Sequence, residues 1–175
     1  GRAQVDDYQR PSSEQGCAIG DIVRGSALAR QAMEEGVVAA EHASGAETHP
    51  VNLDLVPGAT FCHPQVASVG LTEAQAKEAG HDIKTGKFKL GGVGAGTVYD
   101  DRDGMVKLVV DKKYGEILGA HIVGNRACDM IAELVAVMAL EGGIQELQRI
   151  MHPHPTISEA VVEGARAVDG WATHA

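Results

Sequence analysis

Between residues 104 and 124 the chain reads "GMVKLVVDKKYGEILGAHIVG", two runs rich in apolar and β-branched positions on either side of a polar "DKKYGE" break. That pattern predicts a β-hairpin. "TFCHPQVASVGLT" is also extended, because Pro64 disfavours helix at His63 and β-branched residues alternate after it. "HDIKTGKFKL" predicts a further strand. The period changes in "CDMIAELVAVMALEGG", where Met130, Ile131, Leu134, Val137 and Met138 fall on one side of a helix that ends at glycines. "TEAQAKEAG" predicts a short helix, with Thr72 as N-cap, Glu73 in the first turn and Gly80 as its stop. "IQELQRI" predicts another. Strands followed by helices indicate an α+β domain, an antiparallel sheet flanked by helices.

The first 50 residues have a different grammar. Cys17 to Ile19 reads as a short strand ending in Gly20-Asp21, and a connecting "IVRG" leads into a helix from about Ser26, a possible cap, to about His42. Leu28, Ala32 and Val38, with Ala29, Ala39 and Ala40 around them, predict a small-residue packing face. "ASGAETHPVNLDLVPGA" has proline, glycine and no periodicity, so it reads as a linker with a boundary near residue 50.

Composition narrows the function classes. An apolar fraction of 44% over 175 residues is enough to build a core. Fifteen basic residues against 24 acidic ones, a net charge of −9, argue against nucleic acid as a partner. "IAELVAVMAL" at 131–140 is too short for a bilayer and is interrupted by Glu133, and "GRAQVDDYQRPSSEQG" has no signal core. The expectation is a cytoplasmic protein with no membrane contact. Cys17, Cys62 and Cys128 are far apart and odd in number, so neither a zinc knuckle nor a local redox disulfide is expected. They read as reduced, partly buried thiols.

Three stretches carry candidate chemistry. "GGVGAGT" at 91–97 lacks the G-x-G-x-x-G spacing of a dinucleotide site, and an extended "TVYDDRDGM" is expected after it, so it reads as a strand connection. In "AIGD" the layout strand, glycine, aspartate, helix lets Asp21 either end a strand or accept hydrogen bonds from a sugar-like hydroxyl beside a helix N-terminus. "MHPHPTISEAVVE" at 151–163 leaves three readings open. Thr156 and Glu159 fit a capping box, with His152 and His154 as turn residues. H-x-H could hold a metal, but no third ligand at sensible spacing is evident. An imidazole with a carboxylate behind it on a rigid backbone is an acid–base pair, and a cis His–Pro bond would supply the rigidity.

The order and spacing of "AIGDIVRGSALARQAMEEG", "TFCHPQVASVGLTE" with "GEILGAHIVG", and "HPHPTISEAV" resemble the flavin-dependent pyridine nucleotide–disulfide oxidoreductases. The last stretch is similar to the H-x-H-P-T-x-S-E signature of the dihydrolipoamide dehydrogenase branch. The resemblance implies that residues 1–50, with Gly1 to Glu14 as a leftover end, come from an FAD-binding domain. Residues 58–175 would be the interface domain that pairs two subunits. It implies that Asp21 binds the ribityl chain of FAD and that Leu28 and Ala29 face the flavin's pyrimidine end. His154 would be the general base for a dithiol substrate, oriented by Glu159, and would serve the partner subunit's flavin and disulfide. The implied cofactors are FAD and NAD. The implied partners are a second copy in a homodimer and the lipoyl group of a 2-oxo acid dehydrogenase complex or the glycine cleavage system.

The chain departs from that family pattern at several places. The FAD fingerprint, the C-x-x-x-x-C pair and the second Gly-rich site do not occur in it, so it reads as about the last third of such an enzyme, inactive alone. Arg30 stands where a histidine is usual, Cys17 where an aromatic is common, and "GGVGAGTVYDD" where an Asn-containing segment is common. A stand-alone dimerisation module without catalysis and a sister reductase for glutathione or mercuric ion are the alternatives.

Overall fold

The computed structural model describes residues 1–12 and 16–174, so positions 13 and 14 of the Gly1–Glu14 stretch lie outside the described residues. The chain divides into two units, Gly1–Val56 and Pro57–Ala175.

The first unit is built around helix α1, Ala29–Ser44. Gly45 ends it in the left-handed region at φ 77°, and its N–H reaches the Glu41 and His42 carbonyls, the usual glycine stop. Ser26 does not cap the helix. Leu28 occupies the cap position with no side-chain hydrogen bond, and the Ser26 N–H donates instead to Gln31 Oε1 at 2.9 Å. The expected strand at Cys17–Ile19 is also absent. A strand needs a neighbouring ladder, and this segment has only isolated ties, such as Ala18 N–H to the Gln9 carbonyl at 3.0 Å. A 3₁₀ turn, Gly20–Ile22, follows. The predicted small-residue face is partly wrong, since Ala29 and Ala40 are exposed. The buried stripe of α1 is Gln31, Glu35, Val38 and Ala39.

The second unit carries the predicted antiparallel sheet. β1 (Gly58–Thr60) and β2 (Gln65–Gly70) flank a turn with a cis His63–Pro64 bond. Helix α2 (Glu73–Glu78) follows, held by a complete Thr72–Gln75 capping box. Strand β3 is Ile83–Lys89. The glycine-rich connection is not extended at Thr97 and Val98 as expected. It folds into a 3₁₀ turn, Leu90–Gly92, and a short helix α3, Gly94–Val98. The hairpin is β4 (Met105–Asp111) and β5 (Ile117–Gly124), then come α4 (Ala127–Ala139), α5 (Ile144–Leu147) and α6 (Glu159–Val168). The sheet order is β1-β2-β5-β4-β3, antiparallel throughout.

Alternation along β4 splits the core. Val106, Leu108 and Val110 pack with Met130, Ile131 and Leu134 of α4 and with Ala160, Val161 and Ala165 of α6. Val109 points the other way and meets Ala76 of α2. That period of two is what one half-covered face of a sheet requires. α6 lies tight against β3 because Gly86 has no Cβ. One built there would overlap the Gly164 carbonyl. No helix among the described residues is long and apolar enough to cross a membrane.

Candidate functional site

The "HPHPT" stretch lies between α5 and α6, and its prolines remove two backbone donors, so no regular element forms there. The His154–Pro155 bond is cis. Glu159, the first residue of α6, divides its carboxylate between two tasks. Oε1 lies 2.9 Å from His154 Nδ1, and Oε2 accepts the Thr156 N–H at 2.8 Å. The capping box is therefore half formed. The glutamate reaches back as expected, whereas the Thr156 hydroxyl donates to the Pro153 carbonyl at 2.8 Å.

The electrostatics of the pair are set by unequal exposure. The Glu159 side chain is 17% exposed and that of His154 is 72%. Burial pushes the Glu159 carboxyl up. The Thr156 amide, the His154 hydrogen bond and the charges of His154 and His174 outweigh it and hold the group below its ordinary value. Glu159 is thus a carboxylate at neutral pH. An ionised carboxylate only accepts, so in the neutral form of the ring the proton sits on Nδ1 and the Nε2 lone pair is available. Gly94, at the start of α3, flanks the ring. A Cβ built there would sit 3.7 Å from His154 Cε1.

His152 has a partner that the sequence did not indicate. Its Nε2 lies 2.8 Å from Oε1 of Glu133 on α4, and its side chain is 6% exposed. The Glu133 hydrogen bond pushes the imidazole pKa up against the opposing effect of burial. His152 thereby fastens the loop to α4. Glu163 does the same for the chain end. At 2% side-chain exposure it accepts the N–H groups of Thr173 (2.6 Å) and His174 (3.0 Å), and Arg166 Nη1 lies 2.8 Å away. Burial raises the Glu163 carboxyl, and these donors more than offset that, lowering it overall.

In the first unit, Asp21 is exposed within the Gly20–Ile22 turn, and Leu28 and Ala29 stand at the start of α1. Sequence reasoning missed what holds them. Buried Glu35 accepts the Gly20 N–H and Gln31 Nε2–H, each at 2.7 Å, and Gln31 also donates to the Arg24 carbonyl at 3.2 Å. This hooks the loop 20–26 to the helix. The first turn of α1 has no acidic residue and no side-chain cap. Its free N–H groups and positive dipole end suit an electron-rich ligand atom. These residues therefore fit the ribityl and ring edge of a flavin. Cys17 and Cys62 are exposed and only Cys128 is half-buried, against the expectation of three partly buried thiols.

Comparisons with known proteins agree with this architecture. The family described as pyridine nucleotide-disulphide oxidoreductase, dimerisation domain, matches residues 56–165. A dihydrolipoyl dehydrogenase of Bacillus subtilis is 45% identical over 157 residues, 90% of this chain and 33% of that protein. One from Corynebacterium glutamicum is 42% identical over 173 residues, 97% of this chain and 37% of that protein. Among solved structures, LpdA of Mycobacterium tuberculosis superposes with TM-score 0.88 at 24% identity, covering 94% of this chain and 36% of that one. The HOCl-induced flavoprotein disulfide reductase RclA of Escherichia coli gives 0.84 at 25% identity, covering 93% and 38%. The chain spans about a third of the length of the curated relatives it matches. With the five-stranded antiparallel sheet, its flanking helices and the family match over residues 56–165, the chain belongs to the pyridine nucleotide–disulphide oxidoreductases and carries their dimerisation domain.

Proposed function

We propose that this chain supplies the interface portion of a dihydrolipoamide dehydrogenase, an enzyme that passes two electrons from dihydrolipoamide through FAD to NAD. The observation that carries the reading is the 2.9 Å contact between His154 Nδ1 and a Glu159 carboxylate that is itself anchored by the Thr156 amide. A free thiol, with a pKa near 8.5, is mostly protonated at neutral pH, and only its thiolate attacks a disulfide. His154 Nε2 takes the thiol proton. Glu159 holds the ring in the tautomer that can do so and stabilises the imidazolium that results, as the acid does in a serine triad. His152, tied to Glu133, keeps the loop in place without touching substrate.

Asp21 would accept hydrogen bonds from the ribityl hydroxyls of FAD, and Leu28 and Ala29 would bring the free N–H groups of α1 to the ring's pyrimidine edge. When bound, FAD supplies the two-electron relay between dithiol and NAD. In this reading residues 1–50 belong to the flavin-binding domain and residues 58–175 to the interface domain. Two copies pair through the interface domain, and His154 serves the partner's flavin and disulfide. The lipoyl group comes from a 2-oxo acid dehydrogenase complex or the glycine cleavage system. The reaction belongs in the cytoplasm, and the chain alone is inactive. The support is the half-buried carboxylate behind an exposed imidazole, together with the dihydrolipoyl dehydrogenases among the relatives.

The test is substrate choice by the FAD-containing enzyme that carries this chain. NADH formation from dihydrolipoamide, with little turnover of glutathione disulfide or mercuric ion, is the expected outcome. Preference for either of the latter would move the chain to a sister reductase, and NADH formation by the 175-residue chain alone would overturn its expected inactivity.

A further inference from the structure

Two of the three cysteines, 66 positions apart in sequence, meet at one carbonyl. β1 ends at Thr60, and the turn 61–64 carries Cys62 back over the start of α4. The Cys62 thiol lies 3.7 Å from the Thr60 carbonyl oxygen and 3.0 Å from that of Pro64. Cys128, in the first turn of α4, lies 3.8 Å from the same Thr60 oxygen. The approach is fixed from the backbone as well, since the Cys128 N–H donates to Gln65 Oε1 at 3.1 Å, at the head of β2. Two thiols at 3.7 and 3.8 Å from one oxygen are no more than 7.5 Å apart, and Cys128 lies close enough to feel the charge of Cys62. Cys62 sits on an exposed turn, and Cys128 is half-buried beneath it.

We propose that Cys62 and Cys128 are a reversible dithiol–disulfide pair, oxidised by low-molecular-weight disulfides such as glutathione disulfide. The exposed Cys62 thiolate attacks one sulfur of glutathione disulfide, forming a mixed disulfide and expelling one glutathione thiolate. The Cys128 thiolate then attacks the Cys62 sulfur, forms the intrachain bond and expels the second glutathione. The protein pair loses two electrons and two protons, and the glutathione disulfide gains them as two thiols. Burial, the Asp129 charge and the neighbouring Cys62 push the Cys128 thiol up, which makes it the slower, resolving partner. Forming the bond requires the sulfurs to close to about 2 Å, and Cys62, on the exposed turn, is the partner that would move. The bond would tie the β1–β2 turn to α4, the helix whose Glu133 holds His152. This inference rests on the thiol geometry and is independent of the catalytic reading.

The experiment incubates the 175-residue chain with glutathione disulfide and follows intact mass, free thiols and peptide maps. The expected result is loss of two of the three thiols, a Cys62–Cys128 linked peptide, no retained glutathione, and full recovery with dithiothreitol. Cys128→Ser should stop at a single glutathione adduct on Cys62, and Cys17→Ser should form the bridge like the parent chain. A parent chain that keeps all three thiols, holds glutathione on Cys62 without a linked peptide, or links two chains would overturn the proposal.

Discussion

Glu159 does two things at once because a carboxylate has two oxygens. One accepts the Thr156 amide and fixes where the side chain lies; the other meets His154. Replacing it with glutamine keeps the shape but removes the charge that stabilises an imidazolium. In the FAD-containing enzyme, Glu159→Gln is expected to lower kcat by up to about 10⁴-fold, the cost of neutralising the acid behind a general-base histidine in a serine triad. Unchanged kcat would reduce Glu159 to a helix cap. The sign of the pH effect follows from the lowered carboxyl. The pairing is intact above the ordinary glutamate range and is lost as pH falls through the lowered value. At this scale spacing left the cap, metal and acid–base readings of the motif open, and the pairing of His154 with Glu159 was expected only from the family resemblance. Glu133, Glu163 and Glu35 were not legible. Their partners are a histidine on a later loop, a chain end and a glycine amide, which no local spacing encodes.

At the scale of elements, the sheet and α4 were readable because their apolar periods are uninterrupted. Leu134 is fully buried between α4 and the sheet. Leu134→Ala should cost about 2–5 kcal/mol in chemical denaturation, the range for emptying a buried leucine site. A cost near zero would show that α4 is not docked as described. α2 is held differently, by Glu73 in its first turn. Lys107 on β4 first, and Lys77 second, each at 2.8 Å, lower the Glu73 carboxyl from 4.5 to about 2. A lowered acid stabilises the fold fully above pH 4.5 and loses that contribution as pH falls toward about 2. Glu73→Gln should therefore flatten the acid limb of a stability-against-pH curve and leave its shape above pH 5 unchanged. An unaltered acid limb would contradict the assignment. The Cys17–Ile19 strand and the extended 97–98 segment misread for one reason. A short run with apolar or β-branched residues has no strand to join unless the fold brings one, and α1 begins at Ala29 rather than Ser26 because Ser26's backbone is engaged by Gln31.

At the scale of the whole molecule, the resemblance read from three separated stretches identified the family, and the match over residues 56–165 agrees with it. Large apolar side chains stand uncovered on the second unit, with Met151 at 95% and Leu140 at 83% exposed. In the proposed homodimer, a second copy would cover Met151. Met151→Asp should weaken self-association, and light scattering at micromolar concentration would show a shift from dimer toward monomer. A monomeric parent chain would remove that role. The central claim is that His154 is the base. It is tested most directly by the turnover of dihydrolipoamide by His154→Gln in the FAD-containing enzyme, with flavin absorbance confirming that FAD remains bound. The account predicts a fall of about 10²–10⁴-fold in kcat; a variant that turns over at the parent rate would contradict it.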